Sequence, residues 1–175
     1  MDLGEGYVAC ICEGSAEQAI MDLLLDFDKL NFNQDQLLEG EIIRTRGAKQ
    51  FEKKYLRKGF TKKITVLRIL DSRTENFKLS KVYVNKVSVI DIITAPEIEM
   101  LIIVSEGKYT DFKKSRKKPS DFCKMELKFR NVKSYDFVKN YFNDINKLIE
   151  SIFEYKKVSN IKNGEYTIFD LLKHI

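Results

Sequence analysis

The apolar run Tyr7-Val8-Ala9-Cys10-Ile11 gives way at Cys12-Glu13-Gly14 to a helical run carrying Ala19, Ile20, Leu23, Leu24 and Leu25. This segment constrains the chain more than any other. A strand that ends on an acid, turns at glycine and enters a helix sets that acid at the carboxyl edge of a sheet. That edge is where open α/β sheets bind ligands. A hard divalent cation such as magnesium takes carboxylate oxygens there, and phosphate chemistry uses the cation.

The alternation continues along the chain. Residues 41–46, 64–70 and 87–93 read as further strands, and 64–70 is β-branched and apolar enough to be interior. Helical patterns cover residues 15–27, 48–58 and 94–105. In the first, Ser15 and Gln18 have capping-box spacing. In the third, Thr94 is the expected cap, Pro96 falls in the first turn and Glu97 stands three residues after the cap. Residues 108–118 are basic without a period and read as a loop. Residues 134–155 carry an apolar stripe from Phe137 and Phe142 to Ile152 and Phe153, which predicts one long helix; a short last helix starts at Thr167. The expected fold class is α/β, with a mostly parallel central sheet, helices on both faces and additional C-terminal helices. The expected organisation is one domain: a core over 1–107, a basic loop region over 108–133 and C-terminal helices over 134–175.

At 175 residues the chain can bury a substantial core without disulfides. Its three cysteines have no framework spacing, which points to a reducing compartment. The short acidic start does not read as a signal peptide, and no apolar run reaches bilayer length. A cytoplasmic protein without membrane contact is expected. The net charge of +5 is unevenly spread: residues 1–40 hold nine acids and one lysine, whereas 41–68 hold ten basic residues and two acids. Residues 108–133 again hold ten basic residues, against three acids. Two basic blocks flanking an acidic head suggest phosphate-binding surfaces around a metal-binding end. The plainer alternative is solvated lysine-rich surface.

Four acids are candidates for one site. Glu13 and Asp71 lie just past the ends of strands expected to be central and parallel, and neighbouring parallel strands are about 5 Å apart. Glu17, one turn into the first helix, points back toward the helix start; an acid there also suits the helix end electrostatically. Glu99 is set among Ile98, Met100, Leu101, Ile102 and Ile103, so its carboxylate needs a cation, a metal or a donor. Arg68 and Arg73 are the alternative structural partners for it. Glu97 is accounted for by the expected capping box.

Glu13-Gly-x-x-Glu17 after a strand, then an Asp ending a later strand, resembles the TOPRIM domain of primases, topoisomerases and related nucleases. The segment Thr94-Ala95-Pro96-Glu97-Ile98-Glu99-Met100-Leu101 resembles the Asn-Pro-x-Phe-Glu-Leu-Trp segment of small TOPRIM proteins of the RloB type, with Pro96 on the Pro and Glu99 on the Glu. The resemblance spans roughly residues 7–107. It implies a TOPRIM-like fold and a magnesium- or manganese-dependent nuclease with a role in phage defence or on mobile elements. In that reading Glu13, Asp71 and Glu99 hold the metal, and Glu17 is a ligand or general base. It also implies an ATPase partner protein. The family's second motif is Asp-x-Asp, and here it is Asp71-Ser72-Arg73, which favours one metal over two. Arg73 is then free to take a phosphate or a carboxylate.

For the nucleic acid, RNA or DNA, the expected grip is Lys113, Lys114, Arg116, Lys117 and Lys118, with Tyr109 and Phe112 available for stacking. Cys10 and Cys12 read as buried thiols on one strand face. Cys123 beside the basic residues is the candidate for a lowered thiol pKa, but the only histidine is His174. No glycine-rich phosphate loop is present to make the chain a nucleotide triphosphatase. Two functions compete: a TOPRIM-type nuclease, and a catalytically weak or silent TOPRIM-like module that binds nucleic acid or a partner. The stripe over 137–153 covers the sheet or supplies a homodimer interface.

Overall fold

The computed structural model describes Met1 and residues 3–173. Its centre is a three-stranded, all-parallel open sheet of β1 (Tyr7–Cys12), β2 (Ile64–Leu70) and β3 (Val87–Ile93), in the order β1-β2-β3. The protein is therefore α/β, and both connections cross over, as parallel neighbours require. Register pairs Cys12 with Ile69 and Leu70 with Ile93, so all three strands end at one edge. Every residue of β2 is buried, as the interior apolar run predicts.

Alternation divides the strand side chains between two cores. On one face Cys10, Leu67 and Ile92 pack with helices α1 (Ser15–Asp26), α3 (Met100–Ser105) and α7 (Ile145–Val158), through residues such as Leu24, Ile103 and Ile152. On the other, Ala9, Ile11 and Val66 pack with Phe51 of α2 (Ala48–Phe51) and with Tyr55 and Leu56 of the π-helical turn Glu52–Leu56 that continues it. Helices thus cover both faces.

Several elements differ from the sequence expectation, each for a local reason. Residues 41–46 do not form a strand of the sheet: only Ile43 bridges β1, its N–H donating to the Cys10 carbonyl at 2.7 Å. Gly14, not Ser15, is the cap residue of α1, and no side chain caps it. Residues 94–99 do not open a helix with Thr94 as cap; the Ala95–Pro96 bond is cis and the helix begins only at Met100. Thr94 is instead buried.

The basic segment read as a loop contains α4 (Tyr109–Ser115), followed after a left-handed Arg116 by α5 (Pro119–Met125). Phe112 anchors it edge-on against Phe122, with ring centroids 5.6 Å apart. Two aromatics are too few to register as a period. The long C-terminal helix is two, α6 (Tyr135–Tyr141) and α7, because Asp144 caps α7 by accepting the Asn146 N–H at 2.9 Å. The stripe's Val138, Phe142, Leu148 and Ile152 are spent on the protein's own core. The last helix is a short 3-10 turn, Ile168–Leu171, capped by Thr167 as expected. Among the described residues no helix is long and apolar enough to cross a membrane.

Candidate functional site

Strand register brings the first two acids together. The Glu13 N–H continues the β1–β2 ladder to the Ile69 carbonyl at 3.0 Å, and the Asp71 N–H donates to Glu13 Oε2 at 3.3 Å. Glu13, Glu17, Asp71, Glu97 and Glu99 all line one cavity of about 170 Å³ at the carboxyl edge of the sheet. Two cations, Arg46 and Lys133, line it with them. The four acids singled out in the sequence thus share a cavity, and Glu97 joins them.

Glu17 reaches its place by folding back over Gly14. A Cβ at position 14 would meet Glu17 Oε2 at 2.5 Å, so a larger residue there would make the carboxylate swing out of this position. Burial raises the Glu17 carboxyl pKa, its own backbone N–H opposes this, and the Asp71 and Glu13 charges raise it further. Glu13 is also raised, first by burial, then by Asp71 and Glu75, against the Asp71 N–H and the Arg46 charge. Glu99, with 3% of its surface exposed, is pushed up to about 7, chiefly by burial.

Glu99 takes neither arginine as partner. Arg68 is committed to Asp91 at 3.0 Å and Glu75 at 3.1 Å, and its guanidinium lies 5.2 Å from the Phe77 ring centre. Arg73 clamps the C-terminal segment, donating to Glu165 at 2.6 and 2.9 Å and to the Asn160 carbonyl at 2.6 Å. The cation near Glu99 is Lys133, whose Nζ lies 3.8 Å from Glu99 and 4.0 Å from Glu97. Buried Val132 and the Ser134 cap of α6 flank that lysine and fix its place. Lys133 carried no sequence signal.

Arg73 therefore does not offer a free guanidinium to a phosphate. Arg73→Gln is expected to cost about 1 kcal/mol in chemical denaturation, because a bidentate but partly exposed pair is lost. Nucleic-acid retention should stay unchanged. A fall in retention without a fall in stability would restore the phosphate role.

The other basic candidates lie elsewhere. Lys114 and Lys117 border a separate cavity with Glu126, and Lys117 is paired to Glu126. Lys113 lies over the Tyr109 ring at 5.8 Å. Lys113, Lys114, Arg116, Lys117 and Lys118 line no part of the carboxylate cavity. The segment still touches the site at its end, where the Ser120 N–H donates to Glu97 Oε2 at 3.1 Å. That bond, not a capping box, accounts for Glu97.

All three cysteines are free and buried, and burial pushes the Cys123 thiol up to about 12 rather than down. His174 lies outside the described residues.

The donor set is oxygen only, the kind a hard divalent cation takes. Neighbouring carboxylates help to raise the Glu13, Glu17 and Glu99 carboxyls, a repulsion that positive charge there would relieve. Among the described residues buried Tyr155 Oη makes no hydrogen bond, and it feels the Glu17, Glu99 and Asp71 charges. Among them, however, no three such side chains already stand in ligating geometry. Holding a cation would require side-chain rotation.

A pH effect follows for the metal-free protein. Glu99 is protonated more readily folded than unfolded, so its burial penalty acts above about pH 7 and fades as pH falls toward 4.5. Glu13 and Glu17 shift in the same direction. In chelator, thermal stability should rise on acidification across that window, by up to about 3 kcal/mol from Glu99. Glu99→Gln should flatten the rise; an unchanged profile in that variant would refute the assignment.

Comparison with protein-family models, curated proteins and solved structures finds no match for this chain.

Proposed function

We propose that the chain is a metal-dependent phosphodiesterase of the TOPRIM type acting on RNA or DNA. The observation that carries this reading is the convergence of Glu13, Glu17, Asp71 and Glu99 on one cavity at the carboxyl edge of the parallel sheet. Glu13, Asp71 and Glu99 would hold magnesium or manganese, which when bound polarises a scissile phosphate and acidifies water. Glu17 has a carboxyl raised by burial, suited to accept a proton from the attacking water. Lys133 offers an ammonium to charge developing on the phosphate. The resemblance extends the proposal to phage defence or a mobile element, in the cytoplasm, with an ATPase supplied by a partner protein.

Incubating the protein with RNA and DNA pools, in magnesium, manganese or chelator, tests this directly. Cleavage that requires metal is expected; no cleavage of either pool with either metal counts against it. The silent-module reading has one observation in its favour. Position 73, where the family pattern has its second acid, is occupied by an arginine engaged with Glu165. That reading predicts retention without cleavage, unaffected by Glu13→Gln and weakening steeply with salt.

A further inference from the structure

A second cavity, of about 280 Å³, opens beside the carboxylate cavity and has the opposite charge character. It is lined by Ser15, Gln18, Arg44 and Arg46, and it shares Glu13, Gly14, Ser15 and Arg46 with its neighbour. Two guanidiniums here face a single carboxylate, whereas next door five carboxylates face two cations. The two compartments form a charge pair across Glu13 and Arg46.

The arginines are placed by the fold rather than scattered on the surface. Ile43 bridges β1 and fixes the backbone beside it. Arg44 Nε then donates to Gln18 Oε1 of α1 at 2.8 Å, which aims the guanidinium and leaves its terminal nitrogens available. Arg46 makes no hydrogen bond or ion pair among the described residues, and its charge acts on Glu13. An arginine pair with a serine, lining one polar cavity, supplies the donor chemistry that a phosphate group takes.

We propose that the Arg44–Arg46 cavity is a phosphate subsite, which seats one phosphate of a nucleic acid beside the carboxylates. It rests on the reading of the chain as one that handles phosphodiesters, and it deepens that reading by saying which cations hold the substrate. The grip moves from the basic segment around α4 to the segment that follows Ile43. A shared phosphate chemistry covers two sources, a terminal monoester and an internal diester.

The test is fluorescence anisotropy with labelled single-stranded RNA and DNA oligonucleotides, each with a 5′-phosphate or a 5′-hydroxyl, in chelator and across a salt series. Arg44→Gln and Arg46→Gln should each weaken binding about tenfold and lower the salt slope by about one, with melting temperature unchanged. Lys81→Gln, an exposed lysine that lines neither cavity, should do neither. Arg46→Lys should restore the salt slope while recovering only part of the affinity. A terminal monoester as ligand makes the 5′-phosphate strand bind more tightly, with the gap lost in both glutamine variants. An internal diester makes both strands bind equally and lose equally. Wild-type affinity in both glutamine variants, losses no larger than that of Lys81→Gln, or no binding by the wild type at low salt would overturn the subsite. Because binding is read in chelator, retention through these arginines together with no cleavage in the magnesium and manganese incubations refutes the nuclease and leaves the subsite standing.

Discussion

On the proposed function, Glu13→Gln is expected to abolish metal-dependent cleavage while making the metal-free protein more stable. The loss is expected to exceed about 100-fold, since even outer-shell changes at metal sites cost 10- to 100-fold and Glu13 is placed to bind the ion itself. The gain in stability follows from the same geometry. The carboxylate at position 13 is raised in pKa by burial and by Asp71 and Glu75, so its ionised form is less favourable in the folded state than in the unfolded one. A neutral amide of the same shape removes that penalty. Cleavage assays beside thermal melts in chelator check both halves. Activity lost together with a lowered melting temperature would mean that Glu13 holds the fold and not a cation.

The second large effect tests what positions the acids. Leu67 is wholly buried at the middle of the central strand and packs in the larger core with Cys10 and Ile90 at its sides. Leu67→Ala leaves a cavity that neither neighbouring strand can collapse into, and should cost about 2–5 kcal/mol. For a chain of this size that lowers the melting temperature by roughly 5–15 °C. Differential scanning calorimetry reads it. A change below about 1 kcal/mol would mean that β2 is not the interior strand.

Much of this geometry was legible in the residues. The run 64–70 announced a buried parallel strand because β-branched residues fill it on both faces, and the turn at Glu13-Gly14 announced an acid at the carboxyl edge of the sheet. Glu99 stood out because an acid among five apolar neighbours has no cheap solvation. What was not legible depends on contacts distant in sequence. Arg73 read as a holder of a phosphate or a carboxylate, and that it takes a carboxylate was not legible because Glu165 lies 92 residues away. Lys133 reaches Glu97 and Glu99 only because Val132 is pinned in the core, which no periodicity shows. The stripe after Ser134 hid a helix break, since Asp144 caps α7 without interrupting the apolar pattern. Arg44 and Arg46 lay in a basic block whose other members, buried Arg68 apart, are surface charge. Only the bridge at Ile43 separates them from the rest.

The central claim is that these carboxylates form one cation site, and calorimetric titration of manganese into the protein tests it most directly. The account predicts one saturable site in the wild type, lost in Glu13→Gln and in Asp71→Asn and weakened in Glu99→Gln. Binding that persists unchanged in all three variants, or no binding by the wild type at millimolar manganese, would contradict it.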